Sequence, residues 1–196
     1  MKFKRVFDFF LSLFGILFFS WIIFILWLIA TIETRSNGFF IQQRVGLKGK
    51  QFNMIKIKTM KNNQFFKSTI TKTSDPRITK FGKWFRKYKL DELPSLYNVL
   101  VGEMSFVGPR PDVPGYADKL KGEDKIILNV RPGITGPATL KFAKEEYVLS
   151  LVKDPIKYNN EVLYPQKVKL NLDYINNWSF WLDLKIIFNT VFRKNY

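Results

Sequence analysis

Two adjacent carboxylates, Asp91 and Glu92, lie in the stretch KLDELPSLYNVL of a strongly basic chain. An acid at a helix N-terminus commonly caps free backbone N–H groups, which stabilises the helix by ~1 kcal/mol. The same position attracts phosphate oxygens, so a carboxylate there could attack a phosphoryl group held by Arg86 and by backbone amides. Successive helical residues point ~100° apart, so we expect the two acids to have different roles. Spacing alone leaves both the capping and the catalytic interpretation open.

Two arginines next to prolines could hold such a phosphoryl group. Arg110 lies in GPRP and Arg131 in RPGITG, where Gly133 and Gly136 permit a close backbone approach. A planar guanidinium on a stiff loop is suited to a diphosphate. A single loop arginine is more often a structural anchor, because isolated surface ion pairs contribute little. Two such loops together with a carboxylate pair favour a phosphate site.

Composition limits the chemistry that is available. The chain of 196 residues has a formal charge of +16 and contains neither Cys nor His. Thiol nucleophiles, disulfides, thiolate zinc sites and histidine bases are therefore excluded. Catalysis would depend on carboxylates, Lys, Arg, Tyr, hydroxyls or a cation bound through oxygen. The positive charge indicates an anionic partner: phosphates, anionic lipid or nucleic acid.

The elements that must position these residues show several patterns. Apolar residues at helical spacing predict a helix that begins near Asp91, with Pro94 in its first turn; they are Leu93, Leu96, Tyr97 and Leu100. Asp75 before a proline predicts the start of another helix. Residues 38–60 predict two strands around a glycine-containing turn. The polar residues 61–75 between them predict a loop.

The most apolar stretch runs from residue 9 to residue 32 without a charge. It exceeds the ~20 residues needed to cross the hydrocarbon core, and it is longer than a signal-peptide core. Basic residues on both sides satisfy the positive-inside tendency only if both ends are cytoplasmic. A segment that dips into one leaflet and returns, with a bend at Ser20, would achieve this. A straight span is the alternative.

Two further helical segments are candidates for the membrane interface. Residues 80–89 combine basic and aromatic side chains, which favours a helix at headgroup level over a solvated basic face. Near the C-terminus, apolar residues form a helical stripe: Trp181, Leu184, Phe188 and Val191. We expect this stripe to pack in the core, with docking at the membrane interface as the alternative.

The blocks DELP, GPRP and RPGITG, followed by NNWSFWLDLKIIFNTVF, resemble the bacterial sugar transferases over nearly the whole chain. These are small monotopic phosphoglycosyl transferases. The resemblance implies transfer of a sugar-1-phosphate from a UDP-sugar to polyprenyl (undecaprenyl) phosphate through a covalent aspartyl phosphosugar intermediate. It places the reaction at the cytoplasmic face of the bacterial inner membrane, at the start of surface-glycan assembly.

The resemblance also implies roles for residues of this chain. Asp91 would be the nucleophile and would bind Mg²⁺, while Glu92 would assist metal binding or deprotonation of the lipid phosphate. Substrate or phosphate contacts would come from Arg86, Arg110, Arg131 and Asp183. Asp183 could equally be a surface charge on its helix. Relatives often have Ser-Pro where this chain has Ser20-Trp21. Residues 137–147 also depart from the common pattern, so the identity of the donor sugar is not inferred from the resemblance.

The expected fold is α+β. A membrane helix in residues 1–34 would precede a cytoplasmic catalytic domain, residues 35–196, with a short β-hairpin, several helices and an amphipathic C-terminal helix. The alternative function is a non-catalytic, basic, membrane-bound module that binds anionic lipid or nucleic acid. Because no nucleic-acid-binding module is recognised, we expect membrane lipid and no nucleic acid as a partner.

Overall fold

The computed structural model describes residues 2–61 and 75–194 and confirms the α+β class. The predicted loop at 61–75 lies almost wholly outside the described residues. The helices are α1 Lys2–Thr34, α2 Lys80–Tyr88, α3 Ser95–Val101, α4 Pro137–Lys141, α5 Glu145–Leu151, α6 Pro155–Tyr158, α7 Tyr164–Asn176 and α8 Phe180–Val191. The strands are β1 Phe39–Val45, β2 Gln51–Ile57, β3 Ser105–Val107 and β4 Gly133–Thr135.

The N-terminal helix α1 is uninterrupted over 33 residues, a length of about 50 Å at the usual rise per residue. Of the described helices, it alone is long and apolar enough to cross a membrane, and only 11% of its apolar window is buried. The helix continues through Ser20, whose hydroxyl donates to Leu17 O at 3.0 Å. The helix is therefore not broken at Ser20, where one of the two sequence-based alternatives placed a bend. The membrane topology of α1 stays a prediction.

One face of α1 packs against the rest of the fold. Its buried residues are Lys4, Asp8, Ser12, Leu26 and Ala30. Arg5 donates to the carbonyls of Val99 and Leu100, both at 2.6 Å, and so bonds two carbonyls in the last turn of α3. The other faces are exposed and apolar, with Phe18 70% exposed. The division at residues 34 and 35 stays a prediction, although α1 ends there.

The predicted hairpin is confirmed, with β1 antiparallel to β2. The free edge of β2 is covered by side chains of α3, which take hydrogen-bonding positions that a third strand would use. Asn98 Nδ2 donates to Asn53 O at 2.8 Å, and Ser95 Oγ donates to Ile55 O at 2.9 Å. These bonds fix the start of α3, immediately after the carboxylate pair, to the hairpin.

The two Arg-Pro loops adjoin a short parallel sheet. β3 pairs with β4 through Ser105 and Gly133 and through Val107 and Thr135. A Cβ on Gly133 would lie 2.2 Å from the backbone nitrogen of Gly108. The predicted close approach at this glycine is confirmed, and what approaches it is protein backbone.

Two sequence-based expectations about helices are wrong. Helix α2 begins at Lys80, where Thr79 Oγ1 accepts from Gly82 N at 3.0 Å; Asp75 instead pairs with Arg77 at 2.7 Å. Asp75 therefore forms an ion pair within a turn and does not begin α2. In α8 the apolar stripe is exposed rather than packed in the core, because the buried face carries Asp183, Ile186 and Asn189.

Candidate active site

Asp91 and Glu92 occupy a 3₁₀ turn, Leu90–Glu92, between α2 and α3. Lys89 ends α2 in the left-handed region, with φ 58°, where non-glycine residues are uncommon. The following α-helix begins at Ser95 rather than near Asp91. Asp91 accepts no capping hydrogen bond for either element, so the predicted N-cap position is wrong.

The Asp91 side chain is enclosed and incompletely bonded. Asp91 is 8% exposed, and its Oδ1 has no hydrogen-bond partner. Burial raises the pKa of Asp91, and the charge of Glu92 raises it further, while Lys56, Lys89 and Arg86 act in the opposite direction. A buried carboxylate without full hydrogen bonding destabilises a fold. Such groups are candidates for functional residues.

Glu92 has the opposite electrostatic environment. Its Oε1 accepts from Lys56 Nζ at 2.8 Å and from Arg110 Nη2 at 2.7 Å. Burial alone would raise the pKa of Glu92, but Arg110 and Lys56 hold it well below its ordinary range. Glu92 in turn raises the pKa of Arg110. Glu92 is thus held as an anion, beside an aspartate whose charged form is disfavoured.

Lys56 also belongs to the charged residues around Glu92, and the sequence analysis did not identify it as a site residue. Phe52 and Met54 are buried on β2, and alternation along a strand places Lys56 on their face. Burial lowers the pKa of Lys56, while Glu92 raises it. The sequence signal for Lys56 is its position on the same strand face as the buried Phe52 and Met54. A buried ammonium requires an anionic partner, so a lysine on that face indicates a buried ion pair.

The Arg110 loop is held in place by the end of β1. Arg44 Nη1 donates to Pro111 O at 3.0 Å, and Val45 N donates to Asp112 O at 2.9 Å. Burial lowers the pKa of Arg44 to about 10. Burial also raises the pKa of Asp112 to about 6. These contacts fix the backbone that follows Arg110.

Arg86 is near the carboxylate pair but is engaged by another acid. Its charge acts on Asp91, while its Nη2 donates to Glu146 Oε1 of α5. The neighbouring Glu145 pairs with Lys167 at 2.6 Å. Both acids in the first turn of α5 are thus paired with cations: Glu146 with Arg86, and Glu145 with Lys167.

The structure does not bring Arg131 into the group around Glu92. Arg131 Nε donates to Gly102 O at 2.7 Å, immediately after the last residue of α3. It thereby satisfies a backbone carbonyl at the C-terminal end of that helix. Arg131 thus has different protein contacts from Arg110, and its contact with phosphate stays a prediction.

Asp183 is likewise placed in another part of the fold. Its carboxylate accepts hydrogen bonds from three donors: Lys4 Nζ at 2.5 Å, Tyr174 OH at 2.6 Å and Trp178 Nε1 at 3.0 Å. Asp183 is 2% exposed, so it is not a surface charge. These contacts join α8 to α7 and to the start of α1, and a substrate contact by Asp183 stays a prediction.

The carboxylate pair fits a magnesium ion bound mainly through substrate. The described residues contain no cluster of three or more acids. Mg²⁺ is commonly held by one or two carboxylates together with substrate phosphates and water. Asp91 offers an unpartnered carboxylate oxygen, whereas Glu92 Oε1 accepts from two cations. Asp91 is therefore the residue that would hold the ion.

Together, these elements define an α+β protein with a long apolar helix and a buried carboxylate pair among cations. A model of the family "Bacterial sugar transferase" matches residues 1–194. An undecaprenyl-phosphate glucose phosphotransferase of Komagataeibacter xylinus is 36% identical over 199 residues. The uncharacterized sugar transferase EpsL of Bacillus subtilis is also 36% identical, over 191 residues. The chain belongs to the bacterial sugar transferase family.

The relatives differ in length. The match covers 97% of this chain in both cases, but 35% of the Komagataeibacter protein and 86% of EpsL. A UDP-glucose:undecaprenyl-phosphate glucose-1-phosphate transferase of Escherichia coli is 34% identical, and the match covers 39% of that protein. The resemblance drawn from DELP, GPRP and RPGITG is thus confirmed at the level of the family.

Proposed function

We propose that this protein transfers a sugar-1-phosphate from a UDP-sugar to polyprenyl phosphate through an aspartyl phosphosugar intermediate. The observation that carries the proposal is Asp91, a buried carboxylate with an unpartnered oxygen beside the Glu92 and Arg110 ion pair. Carboxylates are competent covalent nucleophiles in phosphoryl transfer. The names of the relatives support the donor and acceptor classes.

The proposed reaction has two displacements at one phosphorus atom. A carboxylate oxygen of Asp91 attacks the phosphorus that bears the sugar, and the bond to UMP breaks. A polyprenyl phosphate oxygen then attacks the same phosphorus, and the bond to Asp91 breaks. The product is polyprenyl diphosphate sugar, and the carboxylate is regenerated. Mg²⁺, when bound, would neutralise charge on the diphosphate.

The residues around Asp91 have separate roles in this scheme. Arg110 can contact phosphate oxygens while its ion pair with Glu92 fixes the guanidinium. Lys56 holds Glu92 from the strand side. We propose that Glu92 assists metal binding or accepts a proton from the attacking lipid phosphate. Because its pKa is held low, its main contribution is to fix Lys56 and Arg110.

We expect Glu92→Gln to lower kcat by about tenfold to a hundredfold. The amide cannot accept the proton, and Lys56 and Arg110 lose their shared anion. Release of UMP from a UDP-sugar in the presence of polyprenyl phosphate measures the effect. Glu161→Gln, in the π-helical turn Asn159–Leu163, is the matched control and should be unaffected. Wild-type turnover in Glu92→Gln would contradict the assigned role.

We expect Glu146→Gln to lower the donor KM by about twofold to fivefold. Partly exposed ion pairs contribute up to ~1 kcal/mol, and this change would free Arg86 for the diphosphate. Steady-state kinetics over a range of UDP-sugar concentrations tests it. Glu123→Gln, on the first turn of the Gly122–Asn129 segment, serves as control. An increased KM would show that Glu146 aids binding rather than competing for Arg86.

The exposed apolar surfaces support a membrane location. Trp84 of α2 is 53% exposed and Trp181 of α8 is 78% exposed. Arg193 lies over the ring of Tyr88 at 5.1 Å, which links the ends of the two helices. Tryptophans beside basic residues favour the headgroup region. We propose that these faces contact lipid at the cytoplasmic side of the bacterial inner membrane, where glycan assembly would begin.

The alternative is a basic module that binds anionic lipid without catalysis. A binder has no need of a buried, unpartnered carboxylate among its cations. The transferase should release UMP over many turnovers only when Mg²⁺ and polyprenyl phosphate are both supplied, and at most one UMP per enzyme without the acceptor. A binder would show only salt-dependent association with anionic vesicles.

A further inference from the structure

A cavity of about 60 Å³ lies between the Arg110 loop, α4 and α7. A single water needs ~10–15 Å³ on this measure, so the cavity has room for several waters or for part of a small ligand. Arg110 lines the cavity and also contacts Glu92. The cavity therefore adjoins the carboxylate pair.

Two polar groups in the cavity wall have no protein partner. Asn171 of α7 is 8% exposed, and its Oδ1 makes no hydrogen bond. Thr139 of α4 has a buried hydroxyl that also makes none. Both residues line the cavity. Because an unpaired buried polar group destabilises a fold, these two groups indicate a polar ligand.

The chemistry of the wall favours a ligand rich in hydroxyl groups. Most of the lining residues are apolar, and the polar part of the wall offers acceptor oxygens from the carboxylates of Asp112 and Glu145 besides Asn171 and Thr139. Two cations, Arg110 and Lys167, also line the cavity. Tyr164 is the single aromatic side chain among the described lining residues, and its hydroxyl donates to Asp112 at 3.1 Å. A nucleobase would favour an aromatic platform, and uracil has one ring N–H to donate. A monosaccharide has several hydroxyls.

We propose that this cavity binds the sugar ring of the donor, with Asn171 and Thr139 contacting ring hydroxyls and setting sugar preference. The inference rests on the proposed function. A phosphate bound between Asp91 and Arg110 would place its attached sugar beside the cavity.

The test compares Thr139→Val and Asn171→Leu, two nearly isosteric changes that remove polar atoms. Values of kcat/KM are measured for UDP-hexoses that differ at one hydroxyl or acetamido group. We expect the ratio between two donors to change by about tenfold, with inhibition by UMP unchanged. Asn53→Leu, at an exposed position of β2, should alter neither quantity.

The outcomes separate this inference from the proposed function. Transfer by the wild-type enzyme with unchanged donor ratios in both variants would overturn the sugar site. Weaker UMP inhibition with unchanged ratios would assign the cavity to the nucleoside and overturn it equally. No transfer from any UDP-sugar by the wild type would reject the proposed function itself. Thermal unfolding checks each variant, and Thr139→Val alone suffices if Asn171→Leu does not fold.

Discussion

Asp91→Asn is expected to lower phosphosugar transfer by at least about a thousandfold, because an amide cannot form the covalent bond to phosphorus. The adduct on the protein should be lost as well. Incubation with a UDP-sugar and no acceptor, followed by intact-protein mass spectrometry, measures the adduct directly. Normal turnover with a retained adduct would show that Asp91 is not the nucleophile.

The same substitution separates catalysis from helix capping. Burial raises the pKa of Asp91, so the ionised carboxylate destabilises the fold at pH values above its unfolded pKa. Asp91→Asn should therefore unfold at the same temperature as the wild type or higher. Asp154 is a true cap, since it accepts from Lys157 N at 3.0 Å. Asp154→Ala should lower stability by ~1 kcal/mol and leave transfer unchanged.

The raised pKa of Asp91 also predicts the direction in which the rate of the first step, formation of the aspartyl adduct, changes with pH. The nucleophile is the ionised form, so the rate of adduct formation should fall as pH decreases through the folded pKa of Asp91. At low donor and Mg²⁺ concentrations, where the rate reports the free enzyme, that fall should begin at a higher pH than an ordinary aspartate would give. Single-turnover rates across the acidic range test this. A rate independent of pH there would contradict the assignment.

Local sequence patterns predicted the helices and strands more accurately than they predicted which residues form the candidate active site. The apolar run of α1 and the strands of the hairpin follow from hydrophobic length and alternation alone. Helix starts were less predictable because alternatives compete locally: Thr79 caps α2, while Asp75 pairs with Arg77. The start of α3 moved to Ser95 because a 3₁₀ turn precedes it.

Site membership depended on contacts between distant segments. Arg110 and Arg131 look equivalent in sequence, since both adjoin proline. Only the fold shows that one contacts Glu92, while the other bonds the carbonyl of Gly102. Lys56 lies 36 positions from Glu92 along the chain. No local pattern could specify these pairings, although the strand phase of Lys56 indicated a buried charge.

Asp183→Asn is expected to destabilise the fold by about 3 kcal/mol, since it removes the ion-pair partner of the buried Lys4 ammonium. Lys4 is 9% exposed and Asp183 is 2% exposed. The pair joins the N-terminal turn of α1 to α8, so its loss should loosen the long helix from the domain. Thermal unfolding in detergent micelles measures the effect. Asp173→Asn, at an exposed position of α7, is the control.

Lys4→Met combined with Asp183→Asn distinguishes an anchor from a substrate contact. The double variant removes both charges of the ion pair. The new amide oxygen can accept from Trp178 Nε1, and the amide nitrogen can donate to the Tyr174 hydroxyl, which bonds the other carboxylate oxygen in the wild type. If Asp183 is an anchor, the double variant should recover most of the lost stability and, with it, transfer activity. If Asp183 instead contacts phosphate or metal, stability would return without activity. That second outcome would restore the role that sequence resemblance implied.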